Sequence, residues 1–360
     1  MAQVDAFLKL MNEQGASDLH LSAGTQPLLR IRGELERVKF KNLENDELRA
    51  LLFEITPEDK IKEFEETGDI DFAHEIPELA RYRVNFFRQL HGIGAVFREI
   101  PNKILTLDEL GLPLVIKRLA LLPKGLVLVT GPTGSGKSTT LAAIIDHANR
   151  SRKDHILTVE DPIEFVHQNI NCTVNHREVG RHTRSFGAAL RGALREDPDI
   201  IMVGEMRDLE TISLAIEAAE TGHLVFATLH TISASKTVDR IIEVFPAHQQ
   251  GQIRATLADA LRAVVAQTLF KRIDRKGRVA ALEILIATHA VRNLIREGKT
   301  FQLPSVIQTG KKFGMTSLDD AIMEFLKKGW ISGDDAYMKC VDKEKFKSSV
   351  SELVTDFVEV

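Results

Sequence analysis

The sequence predicts an α/β protein: an α+β N-terminal domain, then a nucleotide-binding domain built on a parallel sheet, then a helical C-terminal portion. Three observations support this. Residues 125–140, GLVLVTGPTGSGKSTT, read as a buried strand, a glycine-rich loop and a helix. Downstream, apolar strands alternate with helices, which indicates a parallel sheet with right-handed crossovers. Upstream, short alternating segments are broken by Gly and Pro, as is typical of antiparallel strands.

The glycine-rich loop fits the pattern G-x-x-x-x-G-K-[ST] of phosphate-binding loops. Glycines allow backbone angles that point N–H groups at an anion, and the helix that follows places its positive end there. Lys137 is expected to neutralise the outer phosphates and Ser138 to bind magnesium. The predicted cofactors are therefore ATP and Mg²⁺. The predicted nucleotide-binding residues are Gly131, Thr133, Gly134, Ser135, Gly136, Lys137, Ser138 and Thr139.

Composition limits the class of protein. A chain of 360 residues favours two domains, and 44% hydrophobic with 27% charged residues is ordinary for a globular protein. A net charge of -4 gives no global reason to bind nucleic acid. Two cysteines, no signal-peptide pattern and no run of 18 apolar residues predict a cytoplasmic protein that does not span a membrane.

The N-terminal domain is assigned to residues 1–100 and a Pro- and Gly-rich linker to 101–124. The domain should begin with an amphipathic helix over 4–14, and Gly24, Pro27 and Gly33 should break the strands that follow. Two further helices are predicted over 45–55 and 56–66, and Thr56 is expected to be the N-cap of the latter. The remaining predicted strands are 69–73, 80–87 and 94–100.

The nucleotide-binding core is assigned to residues 125–290 and the helical portion to 291–360. Predicted strands after the loop are 156–159, 200–203 and 224–228, and predicted helices are 185–195, 209–220 and 234–244. Residues 247–268 and those from 291 onward are interpreted mostly as helices.

Carboxylates follow two predicted core strands. Glu205 is the first acid beyond the strand at 200–203, where a general P-loop ATPase has an Asp and this chain has Gly204. We expect Glu205 to orient or activate the attacking water, because the carboxyl ends of parallel strands face the ligand crevice. Glu160 and Glu164 follow another strand; a solvated turn is the alternative. With Ser138, Glu160 and Glu205 are the predicted metal-controlling residues.

Two histidines flank the strand in GHLVFATLHT. His230, at its carboxyl end, could donate to a phosphate oxygen, and His223 is the weaker candidate. Either could instead be a structural histidine.

Arginines mark one face of a strand in the first domain. Arg81 and Arg83 alternate with the apolar Tyr82, Val84 and Phe86, so the two sets should lie on opposite faces. Arg88 and Arg98 add to this group. The alternatives are a solvated basic face and guanidinium groups that reach a nucleotide.

Several motifs in order resemble the type II/IV secretion ATPase family, most closely its pilus-retraction branch. GPTGSGKSTT resembles the family's Walker A, VEDPIEF its Asp box, IIMVGEMRD its atypical Walker B and TGHLVFATLHT its His box. SDLHLSAGTQPLLRIRGEL resembles its N-terminal PAS-like domain. The resemblance implies an N-terminal PAS-like α+β domain followed by a RecA-like P-loop domain. It also implies that Gly204 is a family trait.

The resemblance further implies a homohexameric motor that powers type IV pilus retraction by nucleotide-driven domain rotation. ATP would lie between the two domains, with Arg83 and Arg98 as the phosphate-reaching arginines and Arg88 less favoured. HAVRNLIREGK resembles the retraction motif, with Val291 in place of Ile. The implied partners are an inner-membrane pilus platform protein and a paralogous retraction ATPase. The motor would be peripheral to the cytoplasmic face of that membrane.

Three alternatives remain. Assembly or type II secretion motors of the same family typically carry an extra N-terminal domain and a four-cysteine zinc site, whereas this chain has two cysteines. A hexameric nucleic-acid translocase is disfavoured by the net charge and by the lack of an aromatic and basic strand-binding platform. A nucleotide-gated scaffold with little turnover is disfavoured by the glutamate, histidines and arginines.

Overall fold

The computed structural model describes residues 2–31, 34–77, 79–100 and 103–350. It divides into two compact units, Met1–Lys103 with Pro162–Val166, and Ile104–Asp161 with His167–Val360. The predicted turn residue Gly33 and the predicted start of the linker at Pro101 lie outside the described residues.

The first unit contains an antiparallel sheet, as its alternating sequence predicts. In its described residues the six strands follow the order β3-β2-β1-β6-β5-β4. The elements are α1 (Val4–Glu13), β1 (Asp18–Ser22), β2 (Leu28–Ile31), β3 (Glu34–Arg37), α2 (Asn45–Phe53), α3 (Glu58–Thr67), β4 (Asp69–Ile76), β5 (Ala80–Gln89) and β6 (Gly92–Ile100).

One face of this sheet forms the core of the first unit. On β5, Tyr82, Val84 and Phe86 are fully buried, while the residues between them are partly exposed. The Phe86 and Phe72 rings pack edge to face at 5.1 Å. The other face is therefore available for polar side chains.

The predicted N-cap of α3 is wrong. Pro57 occupies the N-cap position and the helix begins at Glu58. The buried Thr56 hydroxyl instead donates to the carbonyl of Leu52 at 2.8 Å. The hydroxyl thus adds a second partner to a carbonyl at the end of α2, which also accepts from the Ile55 N–H at 3.3 Å.

The second unit contains a mixed sheet with the described strand order β13-β12-β7-β11-β10-β8-β9, in which only the β12–β13 pair is antiparallel. The strands are β7 (Gly125–Thr130), β8 (His155–Glu160), β9 (Thr173–Glu178), β10 (Ile200–Val203), β11 (Leu224–Leu229), β12 (Leu261–Lys271) and β13 (Arg278–Ile286). The helices are α4 (Leu114–Ala120), α5 (Lys137–Ser151), α6 (Phe186–Ala193), α7 (Leu209–Thr221), α8 (Ala234–Glu243), α9 (Gln250–Ala260), α10 (His289–Arg296), α11 (Leu303–Thr309), α12 (Leu318–Lys327) and α13 (Gly333–Lys339).

Every residue of β7, β10 and β11 is buried, because helices cover both faces of this sheet. The edge formed by the carboxyl ends of these strands is consequently where side chains of the sheet can reach a ligand. Between residues 289 and 350 every named element of the structure is a helix, in agreement with the mostly helical prediction from residue 291 onward.

The helical interpretation of residues 261–268 is wrong, because they form most of β12. The sequence LRAVVAQTLF is apolar at seven of ten positions without regular alternation, and a strand buried on both faces loses the alternation that identifies strands. β9 and β13 are also absent from the prediction.

Candidate nucleotide site

The glycine-rich loop joins β7 to α5 in a conformation that requires its glycines. Gly131, Gly134 and Gly136 have φ angles of 145°, 77° and 87°. A Cβ on Gly131 would lie 2.4 Å from the carbonyl oxygen of Gln267, so this position also lacks space for a side chain. Gly136 is the N-cap of the 15-residue helix α5. The loop therefore places an anion-binding helix terminus directly after the buried strand β7.

The Lys137 ammonium folds back over this loop. Its Nζ donates to the carbonyls of Gly131 and Pro132 at 2.9 and 3.2 Å. Ser138 and Thr139, in the first turn of α5, are partly exposed, and Thr133 and Gly134 are exposed at the tip of the loop. Ser135 is buried. A cation thus lies at the mouth of the loop, within reach of an anion bound there.

The strand order places the ends of β10 and β11 side by side, and this brings Glu205 and His230 together. His230 Nε2 lies 2.9 Å from one carboxylate oxygen of Glu205, and Arg207 Nη2 donates to the other at 2.7 Å. The Glu205 side chain is 19% exposed, whereas that of His230 is 47% exposed. Glu205 is therefore fixed on both oxygens yet remains accessible to solvent.

Arg207 keeps the Glu205 carboxylate ionised. Burial alone would raise the pKa of Glu205, but the hydrogen bond and charge of Arg207, with a further contribution from His230, lower the pKa below its ordinary value. Sequence reasoning missed Arg207. The available signal was its spacing two residues after the predicted base, where a side chain can fold back onto the carboxylate.

Glu160 ends β8 beside Gly204, where space for a side chain is limited. A Cβ on Gly204 would lie 3.2 Å from the Val159 carbonyl oxygen and 3.3 Å from the Glu160 Cα, tighter than ordinary van der Waals contact. The Glu160 side chain is itself buried, with His176 Nδ1 at 3.9 Å from its Oε1. A buried carboxylate therefore already stands at this edge of the sheet, next to the position where other P-loop ATPases carry their aspartate.

Two predicted site residues lie elsewhere. His223 precedes β11, and its ring Nδ1 is 2.9 Å from the carbonyl of Ala218 at the end of α7. A six-residue strand spans about 20 Å, so His223 and His230 are at opposite edges of the sheet. Glu164 belongs to Pro162–Val166, which groups with the first unit.

The arginines of the first unit form a row across its sheet. Arg83 on β5 is directly opposite Arg98 on β6, and Arg98 is directly opposite Asp18 on β1. The Arg98 Nε donates to the buried Asp18 carboxylate at 2.7 Å, and Arg83 Nε lies 3.9 Å from Asp71. Arg88 is apart from this row: its guanidinium donates to the Glu65 carbonyl at 3.0 Å.

Comparison with known proteins identifies the family. A sequence profile described as "Type II/IV secretion system protein" matches residues 2–330. The chain belongs to this type II/IV secretion system family. It is 54% identical over 343 residues to the type IV pilus retraction ATPase PilT of Pseudomonas aeruginosa, which is 95% of this chain and 99% of that protein.

A second relative and a solved structure are similar to most of this chain. A twitching motility protein of Neisseria gonorrhoeae is 49% identical over 318 residues, which is 88% of this chain and 85% of that protein. The crystal structure of the pilus retraction motor PilT with bound ADP is 42% identical and has a TM-score of 0.89 over 97% of this chain and 99% of that chain. The resemblance seen in the motifs and the predicted fold class are thereby confirmed.

Membrane-spanning helices and clusters of metal ligands are both absent from the described residues. None of the helices found there is long and apolar enough to cross a membrane. In residues 2–31, 34–77, 79–100 and 103–350, no group of three or more His, Cys, Asp or Glu side chains could hold a metal.

Proposed function

We propose that this protein is a Mg²⁺-dependent ATPase that powers type IV pilus retraction. The observation that carries the ATPase assignment is the Glu205 carboxylate, ionised and fixed by Arg207 and His230, at the end of a strand in the sheet that carries the phosphate loop. The assignment to retraction rests on the similarity to PilT along almost the whole chain.

The residues divide the reaction into binding and hydrolysis. The loop N–H groups and Lys137 bind the phosphates, and α5 contributes its positive terminus. Glu205 orients the attacking water and accepts a proton from it. Because its pKa is lowered, the carboxylate is ionised at neutral pH and holds that proton only transiently. His230 would hold the Glu205 carboxylate through Nε2, and donation to a phosphate oxygen would require a proton on Nδ1 or rotation of the ring away from Glu205.

The donor chemistry fits magnesium. Mg²⁺ prefers oxygen ligands and usually takes only one or two from the protein, the rest coming from water and nucleotide phosphates. The Ser138 hydroxyl at the start of α5 would hold it, with Glu160 and Glu205 acting on its bound waters. The metal would neutralise charge on the transferring phosphoryl group.

The motor would act as a homohexamer in the cytoplasm. We propose that it docks peripherally on an inner-membrane pilus platform protein, with or without a paralogous retraction ATPase. Arg83 and Arg98 would supply positive charge to the nucleotide phosphates, since their row lies on the sheet face that the core of the first unit leaves uncovered. No nucleic acid is part of the proposed cycle.

A genetic experiment tests the function. In a piliated host, deletion of the gene should give cells with more surface pili and no twitching motility, counted by light microscopy. Wild-type protein should restore both phenotypes, and Glu205→Gln protein made at the same level should not. Bald cells after deletion would contradict retraction and favour the assembly motor. DNA-stimulated ATPase activity of the purified protein would favour the translocase.

A further inference from the structure

We propose that Gln267 is a positioning residue that holds the phosphate loop in its binding conformation. This inference rests on the proposed function, because it concerns how the same loop binds nucleotide. Gln267 lies on β12, in the stretch whose sequence gives no sign of a role in the site, and its side chain is 3% exposed.

The Gln267 side-chain amide connects the loop to the first turn of α5. Its Nε2 donates to the carbonyl of Ser135 at 2.6 Å, and its Oε1 accepts from the hydroxyl of Thr140 at 2.7 Å. Ser135 is in the loop, whereas Thr140 is in the first turn of α5. One amide therefore fixes the spacing between the loop backbone and the helix whose N-terminus would face the phosphates.

The orientation of this amide follows from its partners. A flipped amide would place Oε1 against the Ser135 carbonyl, two acceptors in contact, so the Ser135 carbonyl selects the nitrogen. Thr140 is 2% exposed, and buried partners of this kind are costly to leave without a hydrogen bond. Both bonds are expected to persist while the loop keeps this shape.

The backbone at Gln267 shapes the loop as well. β12 runs parallel to β7 with Ala266 opposite Thr130. The residues that follow these two, Gln267 and Gly131, are therefore neighbours. The Gln267 carbonyl oxygen occupies the space where a side chain on Gly131 would begin. The Gln267 Nε2 atom lies 2.9 Å from the position that a Cβ on Gly136 would take. Gln267 thus excludes side chains at both flanking glycines of the loop.

Substitutions of the amide and its hydroxyl partner test the proposal. Gln267→Leu removes both bonds at similar volume and should weaken binding of a fluorescent ADP analogue about 10-fold. Gln267→Glu sets a carboxylate against the Ser135 carbonyl and near the phosphates, and should weaken it about 100-fold. Thr140→Val should lose about 5-fold, whereas Thr140→Ser, which keeps the hydroxyl, should bind like wild type.

The matched control is Gln308→Leu, an exposed glutamine on α11, which should leave affinity unchanged. Thermal unfolding of each variant separates folding from loop geometry, and a rise in KM larger than any fall in kcat is the expected kinetic pattern. Wild-type affinity in folded Gln267→Leu or, should that variant not fold, in folded Thr140→Val would overturn the proposal. Failure of the wild-type protein to bind the analogue would instead contradict the proposed function.

Discussion

The two sheets of this protein expose their functional groups in different ways. In the seven-stranded sheet, strands such as β7 and β11 are buried at every position, so polar groups appear where strands end. In the six-stranded sheet, β5 alternates buried and partly exposed residues, so charged side chains line a face. Parallel and antiparallel construction thus leads to two kinds of site: a cluster at an edge and a row across a face.

The difference has energetic consequences. Glu205 at the strand edge has fixed partners on both oxygens, and the loop beside β7 is braced by buried hydrogen bonds. Arg98 on the sheet face has a side chain that is 65% exposed, and solvent screens its charge. Substitutions at the edge should therefore change activity more than substitutions on the face.

The largest expected effect is at the loop. Lys137→Ala removes the cation at its mouth, and ATP affinity should fall by more than about 100-fold, since charge-assisted bonds to phosphate are strong. Isothermal titration with ATP and Mg²⁺ measures this. Lys124→Ala, an exposed lysine just before β7, is the matched control and should bind as wild type does. Equal affinities for the two variants would remove Lys137 from the site.

The next effect separates hydrolysis from binding. Glu205→Gln keeps the size of the side chain but removes its basicity, so kcat should fall about 100- to 1000-fold while ATP affinity changes less than about 3-fold. Steady-state phosphate release and equilibrium binding on the same samples are the measurements. Glu217→Gln, an exposed acid on α7, is the control. Undiminished turnover by Glu205→Gln would show that another group activates the water.

A smaller effect is expected on the face of the first sheet. Arg98→Ala should lower kcat about 30-fold, below the loss for a lone arginine finger because Arg83 lies beside it. Arg88→Ala is the control, and steady-state turnover is the measure. Mixing Arg98→Ala with Lys137→Ala chains should restore some turnover if subunits share sites. No recovery at any ratio, in rings shown to contain both chains, would contradict sharing.

The smallest effect concerns stability. Burial alone would raise the pKa of Asp18, but hydrogen bonds from Ser17 and Arg98 and nearby positive charge lower it overall. A lowered folded-state pKa stabilises the protein above the unfolded pKa of about 3.9, and this contribution is lost as pH falls through the folded value. Since Arg98 is largely exposed, the contribution should be about 1 kcal/mol.

Urea unfolding of wild-type and Asp18→Asn protein between pH 6 and pH 3 tests this expectation. The wild-type protein should lose more stability than the variant across that interval. Parallel curves would show that Asp18 has the same pKa in the folded and unfolded states. In the Arg98→Ala protein burial still raises the pKa of Asp18 while one source of the lowering is gone, so this protein should lose less stability than wild type across that interval.

Sequence patterns predict local features of this protein and miss features that depend on pairing between distant segments. The phosphate loop, the end of β10 and the two faces of β5 follow from contiguous residues. The Arg83–Arg98 alignment depends on the register of β5 and β6, which alternation alone does not fix. Gln267 escaped notice because β12 is largely buried on both faces, so its sequence lacks the alternation of a strand and is interpreted as a helix.

The site prediction divides in the same way. Strand-end reasoning places both Glu205 and His230 at the carboxyl ends of core strands. They meet because β10 and β11 are neighbours, and the sequence does not give that strand order. His223 flanks the same apolar segment but precedes β11, whereas His230 follows it. The six residues of β11 therefore separate the two histidines. The roles of these residues in catalysis stay predictions.

The contact between Gly204 and Glu160 links the choice of residue at two positions far apart in sequence. The backbone of one strand end limits the volume at the other, and a second carboxylate there would also repel the first. An aspartate at position 204 would therefore require the ends of β8 and β10 to move apart by a few tenths of an ångström, because the close atoms belong to the backbone. The buried acids Glu160 and Glu178 end β8 and β9, whereas β10 is followed by a glycine.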